Sequence, residues 1–260
     1  MTTIADAVRL LEEIAPLALA EEWDNVGLLV GDPAARLGRA MTCLTLTPDV
    51  ADEAIEQGGD LIVTHHPLPF RPVQRITTES ILGDTLWRLI RAGVAVYSAH
   101  TAFDSAVQGI NQQWGEGLGL KDPVPFSPSE EAEGGVGRVG EFQAADFQEL
   151  IAGVKRVAKI DSVRVVAPSV RTPKRVAIAC GSGGSLMEMA ISAGADAFIT
   201  GEMTFHDCLA ARSQGIGVVL TGHYASERFA METLAGRLAE SLPGVEIGAS
   251  EAETDPLLLA

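Results

Sequence analysis

Short apolar runs that end in a polar cluster and then give way to helical periodicity recur along this whole chain of 260 residues. That alternation is the mark of βα units wound around a buried, mostly parallel sheet. Strands are expected at 26–30, 40–46, 61–64, 94–98, 163–166, 176–179, 197–200 and 218–221. Helices are expected over 48–57, 85–91, 147–157, 186–193 and 227–238, several of them stopping at a glycine such as Gly58, Gly93 or Gly194. The fold class that follows is α/β. Apolar residues make up 47% of the chain and aromatics only 5%, so the core must be built from Ala, Val, Leu and Ile.

One composition shift interrupts the pattern, at 121–141, where Pro, Gly and Glu dominate without hydrophobic period. It reads as a linker (121–141) between an α/β lobe over 1–120 and a second over 142–260, with a C-terminal helix that packs back on the first. The acidic and then apolar segment 251–260 is expected to fray.

Charge and cysteine content remove several functional classes. Nineteen Lys and Arg against 35 Asp and Glu leave a formal charge of −16, which repels polyanions and makes extended nucleic acid a poor partner. The three cysteines, Cys43, Cys180 and Cys208, form no C-x-x-C pair and suit a reducing compartment. No leader-like segment and no apolar run of membrane length is apparent, so a cytoplasmic protein without membrane association is expected.

All five histidines fall at or just past the end of an expected strand: His65, His66, His100, His206 and His223. In open α/β sheets the carboxyl ends of strands line the ligand crevice, so groups far apart in sequence converge there. The run Leu61-Ile-Val-Thr-His65-His66-Pro67 delivers two adjacent imidazoles, whose natural joint use is one ligand to each of two metal ions. Alternating strand geometry lets both reach one site only if the chain turns, which Pro67 favours. His100 and Asp104 stand four apart after the next strand; Asp104 suits a metal ligand or a helix N-cap. His223 and Glu227, also four apart, share one helical face, as a metal pair or a surface ion pair. Glu202 and His206 repeat the spacing and suit proton transfer beside such a site, or a helix start.

The turn Cys180-Gly181-Ser182-Gly183-Gly184-Ser185 could offer backbone N–H groups to a phosphate, or could be a tight strand-to-helix connection. It lacks the spacing of a dinucleotide loop and the lysine of a P-loop. A serine hydrolase using Ser182, Asp207 and His223 has the right chain order but leaves His65, His66 and His100 idle.

These segments together resemble the NIF-three-like proteins, also labelled GTP cyclohydrolase type-two homologs or dinuclear metal centre proteins. The resemblance runs nearly end to end, through Trp23-Asp-Asn-Val-Gly-Leu, Thr64-His-His-Pro, His100-Thr-Ala-Phe-Asp, Gly137-Arg-Val-Gly, Gly181-Ser-Gly-Gly-Ser, Thr200-Gly-Glu with His206, and Gly222-His-Tyr-Ala-Ser-Glu. It implies two α/β lobes with mostly parallel sheets and a metal site in the cleft between them. It further implies that His65, His66, Asp104, His223 and Glu227 hold two divalent metal ions, with Glu227 bridging, in a ring-shaped homohexamer. Some relatives carry an extra domain between the lobes, for which 121–141 is too short, and Glu202 stands where relatives often have Asp.

The chemistry expected on that basis is metal-assisted hydrolysis of a small, nucleotide-like or phosphoester substrate. His100 or His206 would relay the proton, and Gly181, Ser182, Gly183 and Glu202 would contact substrate. An N and O donor set favours Zn, Fe or Mn. The alternative is a metal-binding or regulatory protein without turnover, since a metal site establishes binding and not catalysis.

Overall fold

The computed structural model describes residues 1–143, 145–170 and 172–258, and divides into two compact units. The first comprises 1–103 and 230–260, the second 104–229. Each is an α/β unit whose sheet has a parallel centre; the first sheet has one antiparallel edge and the second is flanked by antiparallel strands on both sides.

In the first unit β1 (Gly27–Val30), β2 (Arg39–Thr45), β3 (Leu61–His66), β4 (Ala95–Ser98) and β13 (Glu246–Ala249) form a sheet in the order β1-β4-β3-β2-β13. β13, β2, β3 and β4 run parallel, and β1 pairs antiparallel with β4. Strands β2, β3 and β4 are buried almost throughout, as parallel strands covered on both faces must be. Helices α2 (Pro48–Glu56) and α3 (Ile81–Ala92) make the crossovers, and Val50, Ala54 and Leu89 pack on Met41, Ile62 and Val96. Gly93 closes α3 in the left-handed conformation (φ 75°), the stop that its position predicts.

In the second unit the sheet order is β5 (Lys121–Val124), β8 (Arg138–Glu141), β10 (Arg175–Ala179), β11 (Ala197–Thr200), β12 (Gly217–Leu220) and β9 (Arg164–Val166), beside a small ribbon of β6 (Ser127–Pro128) and β7 (Gly135–Val136). β10, β11 and β12 are parallel; β8 and β9 flank them antiparallel, and β5 pairs antiparallel with β8 at the edge. Val139, Ala177, Phe198, Val218 and Ile216 form its core.

Two expectations give way here. The stretch 121–141 is no linker: it lies inside the second unit and supplies β5 and β8. What fixes so polar a segment is Arg138, 1% exposed, which donates to the carbonyls of Ser105, Ala106, Gly135 and Gly137 and to Gln112. Burial pushes the guanidinium down to about 10, and the array of carbonyl acceptors is what holds it in place. The second is 251–260, whose first residues are tied down. Glu53 accepts from Ser250, Glu251 and Ala252, and Glu253 accepts from the N–H groups of Leu44 and Thr45 at the end of β2. Residues 230–260, which include α10 (Phe229–Ser241) from its second residue on, belong to the first unit. Among the described residues no helix is long and apolar enough to cross a membrane.

Candidate metal centre

In the first unit the ends of β3 and β4 bring three imidazoles together. His65 (3% exposed) and His66 are the last residues of β3, and His100 follows β4 as the first residue of α4 (His100–Ser105). Ring centroids lie 5.2 Å apart for His65–His66 and for His65–His100, and 5.6 Å apart for His66–His100. One ligand atom from each falls within 4.8 Å of the others, a spacing that suits a cation. The strand-end curl that two adjacent histidines require is local: Thr64 Oγ1 donates to the His66 carbonyl at 3.0 Å, two residues on. Ser98 Oγ donates to the His65 carbonyl at 2.7 Å, and Thr45 Oγ1 lies 2.8 Å from His66 Nδ1.

His100 takes an uncommon backbone conformation, φ 27°, and its Nδ1 is held 2.7 Å from Asp24 Oδ1. The Asp24 carboxylate also accepts from the N–H and hydroxyl of Thr101. Burial disfavours its charge, but the hydrogen bonds from His100 and Thr101 outweigh burial and hold the carboxyl down at about 2. Nδ1 of His100 is thus committed to Asp24.

In the second unit the donors come from loops at the carboxyl ends of β10, β11 and β12 and from the end of α4. Cys180 Sγ donates to Asp104 Oδ1 at 3.0 Å. Buried Asn111 spans the same two residues, donating to the Asp104 carbonyl at 3.1 Å and accepting from the Cys180 N–H at 2.8 Å. Burial, and then the nearby carboxylates of Asp104 and Glu227, push the Cys180 thiol up, so it is a neutral donor and not a thiolate.

His223 opens α9 (His223–Glu227), and its Nε2 lies 3.2 Å from Glu227 Oε2, the one-face pairing that the spacing implies. Its Nδ1 donates to Glu202 Oε1 at 2.8 Å. The Glu227 hydrogen bond, reinforced by the charges of both carboxylates, raises His223 to about 9 against the opposing effect of burial. Gly181 makes room for this cluster. Its φ is 62°, and a Cβ there would stand 2.3 Å from Glu227 Oε1. Ser226 Oγ accepts from Gly181 N–H and donates to the His223 carbonyl, locking the β10 and β12 loops together.

Other sequence-derived candidates fall elsewhere. The Gly181 and Gly183 N–H groups, offered as a phosphate cradle with Ser182, are engaged by Ser226 and Thr200. Those glycines are explained by packing: a Cβ on Gly183 would meet Thr200 Oγ1 at 2.4 Å. Glu202, expected at substrate, holds His223. His206 is exposed in the first turn of α8 (Phe205–Gln214) and joins none of the potential ligand groups found among the described residues. Asp207 is spent in a capping box with Thr204, and His223 Nδ1 bonds to Glu202, so no Ser182–His223–Asp207 relay forms. Sequence reasoning assigned no role to Asp24, Asn111 or Ser226, although Asp24 sits in the Trp23-Asp-Asn motif, where its signal was available.

The donors are imidazole nitrogen and carboxylate oxygen, and Gly181 is shaped to admit a carboxylate; the residues present fit a divalent cation.

A family model described as Duf34/NIF3 (NGG1p interacting factor 3) matches residues 2–256. A GTP cyclohydrolase 1 type 2 homolog of Clostridium acetobutylicum is 35% identical over 242 residues, 92% of this chain and 90% of its own. A protein NIF3 homolog of Schizosaccharomyces pombe is 35% identical over 268 residues, covering 96% and 95%. Among solved structures, Staphylococcus aureus protein SA1388 superposes with a TM-score of 0.88 at 28% identity, over 100% of this chain and 99% of that one. Reduced HcgD from Methanocaldococcus jannaschii gives 0.84 at 28% identity, covering 96% and 98%. With its strand-end histidines and carboxylates set in this fold, the chain belongs to the DUF34/NIF3 family.

Proposed function

We propose that this protein is a dinuclear divalent-metal hydrolase acting on a nucleotide-like or phosphoester substrate in the cytoplasm, assembled as a homohexamer. The observation that carries the reading is the convergence of His65, His66 and His100 at the ends of two parallel strands, with His100 backed by an ionised, buried Asp24. The names of the relatives, GTP cyclohydrolase 1 type 2 homologs, support a small nucleotide-like substrate.

In this reading His65, His66, Asp104, His223 and Glu227 would hold two ions of Zn, Fe or Mn. Two divalent cations, when bound, supply Lewis acidity that makes water nucleophilic near neutral pH. The chain's own groups do the rest. His100 Nε2 takes the proton from the attacking water, and Asp24, accepting from Nδ1–H, stabilises the imidazolium that forms. Glu202 orients the His223 ring by accepting from its Nδ1–H. Exposed His206 has no part in this scheme.

Metal analysis of the purified chain, of His66→Ala and of Glu227→Ala, followed by a hydrolysis screen over nucleotides and phosphodiesters, tests the proposal. Two ions per wild-type chain, reduced in both variants, and turnover by the loaded protein are expected. Full metal content in both variants overturns the ligand set. A loaded but inert protein supports the metal-binding reading without catalysis.

A further inference from the structure

The Trp23-Asp24-Asn25 run is only partly explained by the hold of Asp24 on His100. Trp23 is 60% exposed and Phe70 43% exposed, although rings of this size are normally well covered. Neither is loosely placed. Asn25 Nδ2 donates to the Pro69 carbonyl at 2.7 Å, tying together two segments 44 residues apart, and Glu21 N–H donates to Thr101 Oγ1 at 3.0 Å. On these anchors the Trp23 and Phe70 rings stand edge-to-face at 6.0 Å, and lie 6.0 Å and 6.2 Å from the His100 ring. A fixed backbone thus holds an aromatic wall in water directly beside the group assigned to proton transfer.

The loop that carries Phe70 also lines a cavity of about 550 Å³ whose wall includes Arg71 and Arg75 and no carboxylate. In a chain with 35 acidic and 19 basic residues, a largely apolar cavity whose only charged lining residues are two arginines is a local departure from the overall charge. Guanidinium groups match phosphate geometry, and flat rings stack on exposed aromatic faces.

We infer that Trp23 and Phe70 form the seat for a planar heteroaromatic ring and that Arg71 and Arg75 hold an anionic group attached to it, so that the ligand class is a nucleoside monophosphate. The placement of that ring next to a reacting centre rests on the hydrolase reading; the binding itself does not. The wall selects the nucleotide-like class over a simple phosphodiester, which has no ring to stack.

The test is equilibrium binding of GMP and AMP to the full chain, in chelator-treated and metal-loaded forms, with guanosine and ribose 5-phosphate as the ring-only and anion-only probes. Trp23→Ala is expected to weaken nucleotide binding about tenfold or more, with Trp23→Phe retaining most of it. Arg71→Gln combined with Arg75→Gln is expected to weaken GMP by a similar factor and leave guanosine unchanged. These residues are exposed, and unchanged metal content and thermal melting confirm that the variants are folded. Equal GMP affinity in wild type and both variants, ribose 5-phosphate binding as tightly as GMP, or no GMP binding at millimolar concentration each overturns the inference. A chain that takes up no metal yet shows the Trp23 and arginine dependence overturns the hydrolase reading and leaves this one standing. A metal-loaded hydrolase indifferent to these variants does the reverse.

Discussion

The Cys180 thiol donates to Asp104 Oδ1 at 3.0 Å, so a buried neutral sulfur, immediately after β10, sets the direction of a carboxylate 76 residues away in the chain. Partners of this kind orient a metal ligand without touching the metal, and their loss typically weakens affinity about 10- to 100-fold. Cys180→Ala is accordingly expected to lower metal affinity at least tenfold, while Cys180→Ser, which keeps a donor, retains most of it. Competition titrations with a chromogenic chelator measure both. In the cobalt form, a sulfur-to-metal charge-transfer band would show that Cys180 is a ligand, contrary to this assignment.

Asn111 should behave as a clasp. Its side chain, 3% exposed, joins the Asp104 carbonyl to the Cys180 N–H, and truncation strands both backbone groups. Each buried unsatisfied polar group costs about 1–3 kcal/mol, so Asn111→Ala is expected to destabilise the fold by roughly 2–6 kcal/mol. Urea denaturation reads the loss directly. A change below about 0.5 kcal/mol, the size usual for surface substitutions, would mean that water replaces the clasp.

Gly181 and Gly58 form a matched pair. Both are left-handed, φ 62° and φ 66°, but an added Cβ meets Glu227 Oε1 at 2.3 Å at the first and nothing within 4 Å at the second. Gly58→Ala should therefore show only backbone strain, about 1–2 kcal/mol, with metal content intact. Gly181→Ala should cost more and displace Glu227, lowering metal content as well. Equal behaviour of the two variants would remove the steric role given to Gly181.

Asp24 predicts a pH dependence whose sign is fixed. Its carboxyl falls from 3.8 to about 2 on folding, so the stability it contributes is complete above 3.8 and disappears as pH drops through that value toward 2. At about 1.4 kcal/mol per pKa unit the contribution is roughly 2 kcal/mol. Asp24→Asn should trail wild type by about that much at pH 7, with the gap narrowing below pH 3.8. A gap that stays constant down to the acid limit would show that the loss is steric and not ionic.

Legibility in the sequence followed the range of the forces involved. The buried strands β2, β3, β4, β10, β11 and β12 were readable to within about two residues, because a strand covered on both faces must be a continuous apolar run. The pairing of His223 with Glu227 was readable because helical geometry fixes it locally. The segment 121–141 misled because its order comes from Arg138, whose carbonyl acceptors in 105–106 have no sequence signature. The N-terminal motif was visible, but its division of labour was not: Asp24 turned to His100, Trp23 left to solvent, Asn25 fastened to Pro69.

By itself the sequence determined the α/β class, the parallel strand cores and the sorting of histidines to strand ends, since each follows from periodicity and from side-chain chemistry within a few residues. Which imidazole nitrogen is bonded to Asp24 or Glu202, which glycine yields to a carboxylate and which thiol aims Asp104 were settled only in the folded chain. Hydrogen bonds and close contacts of those kinds join residues tens of positions apart, where no local pattern records them.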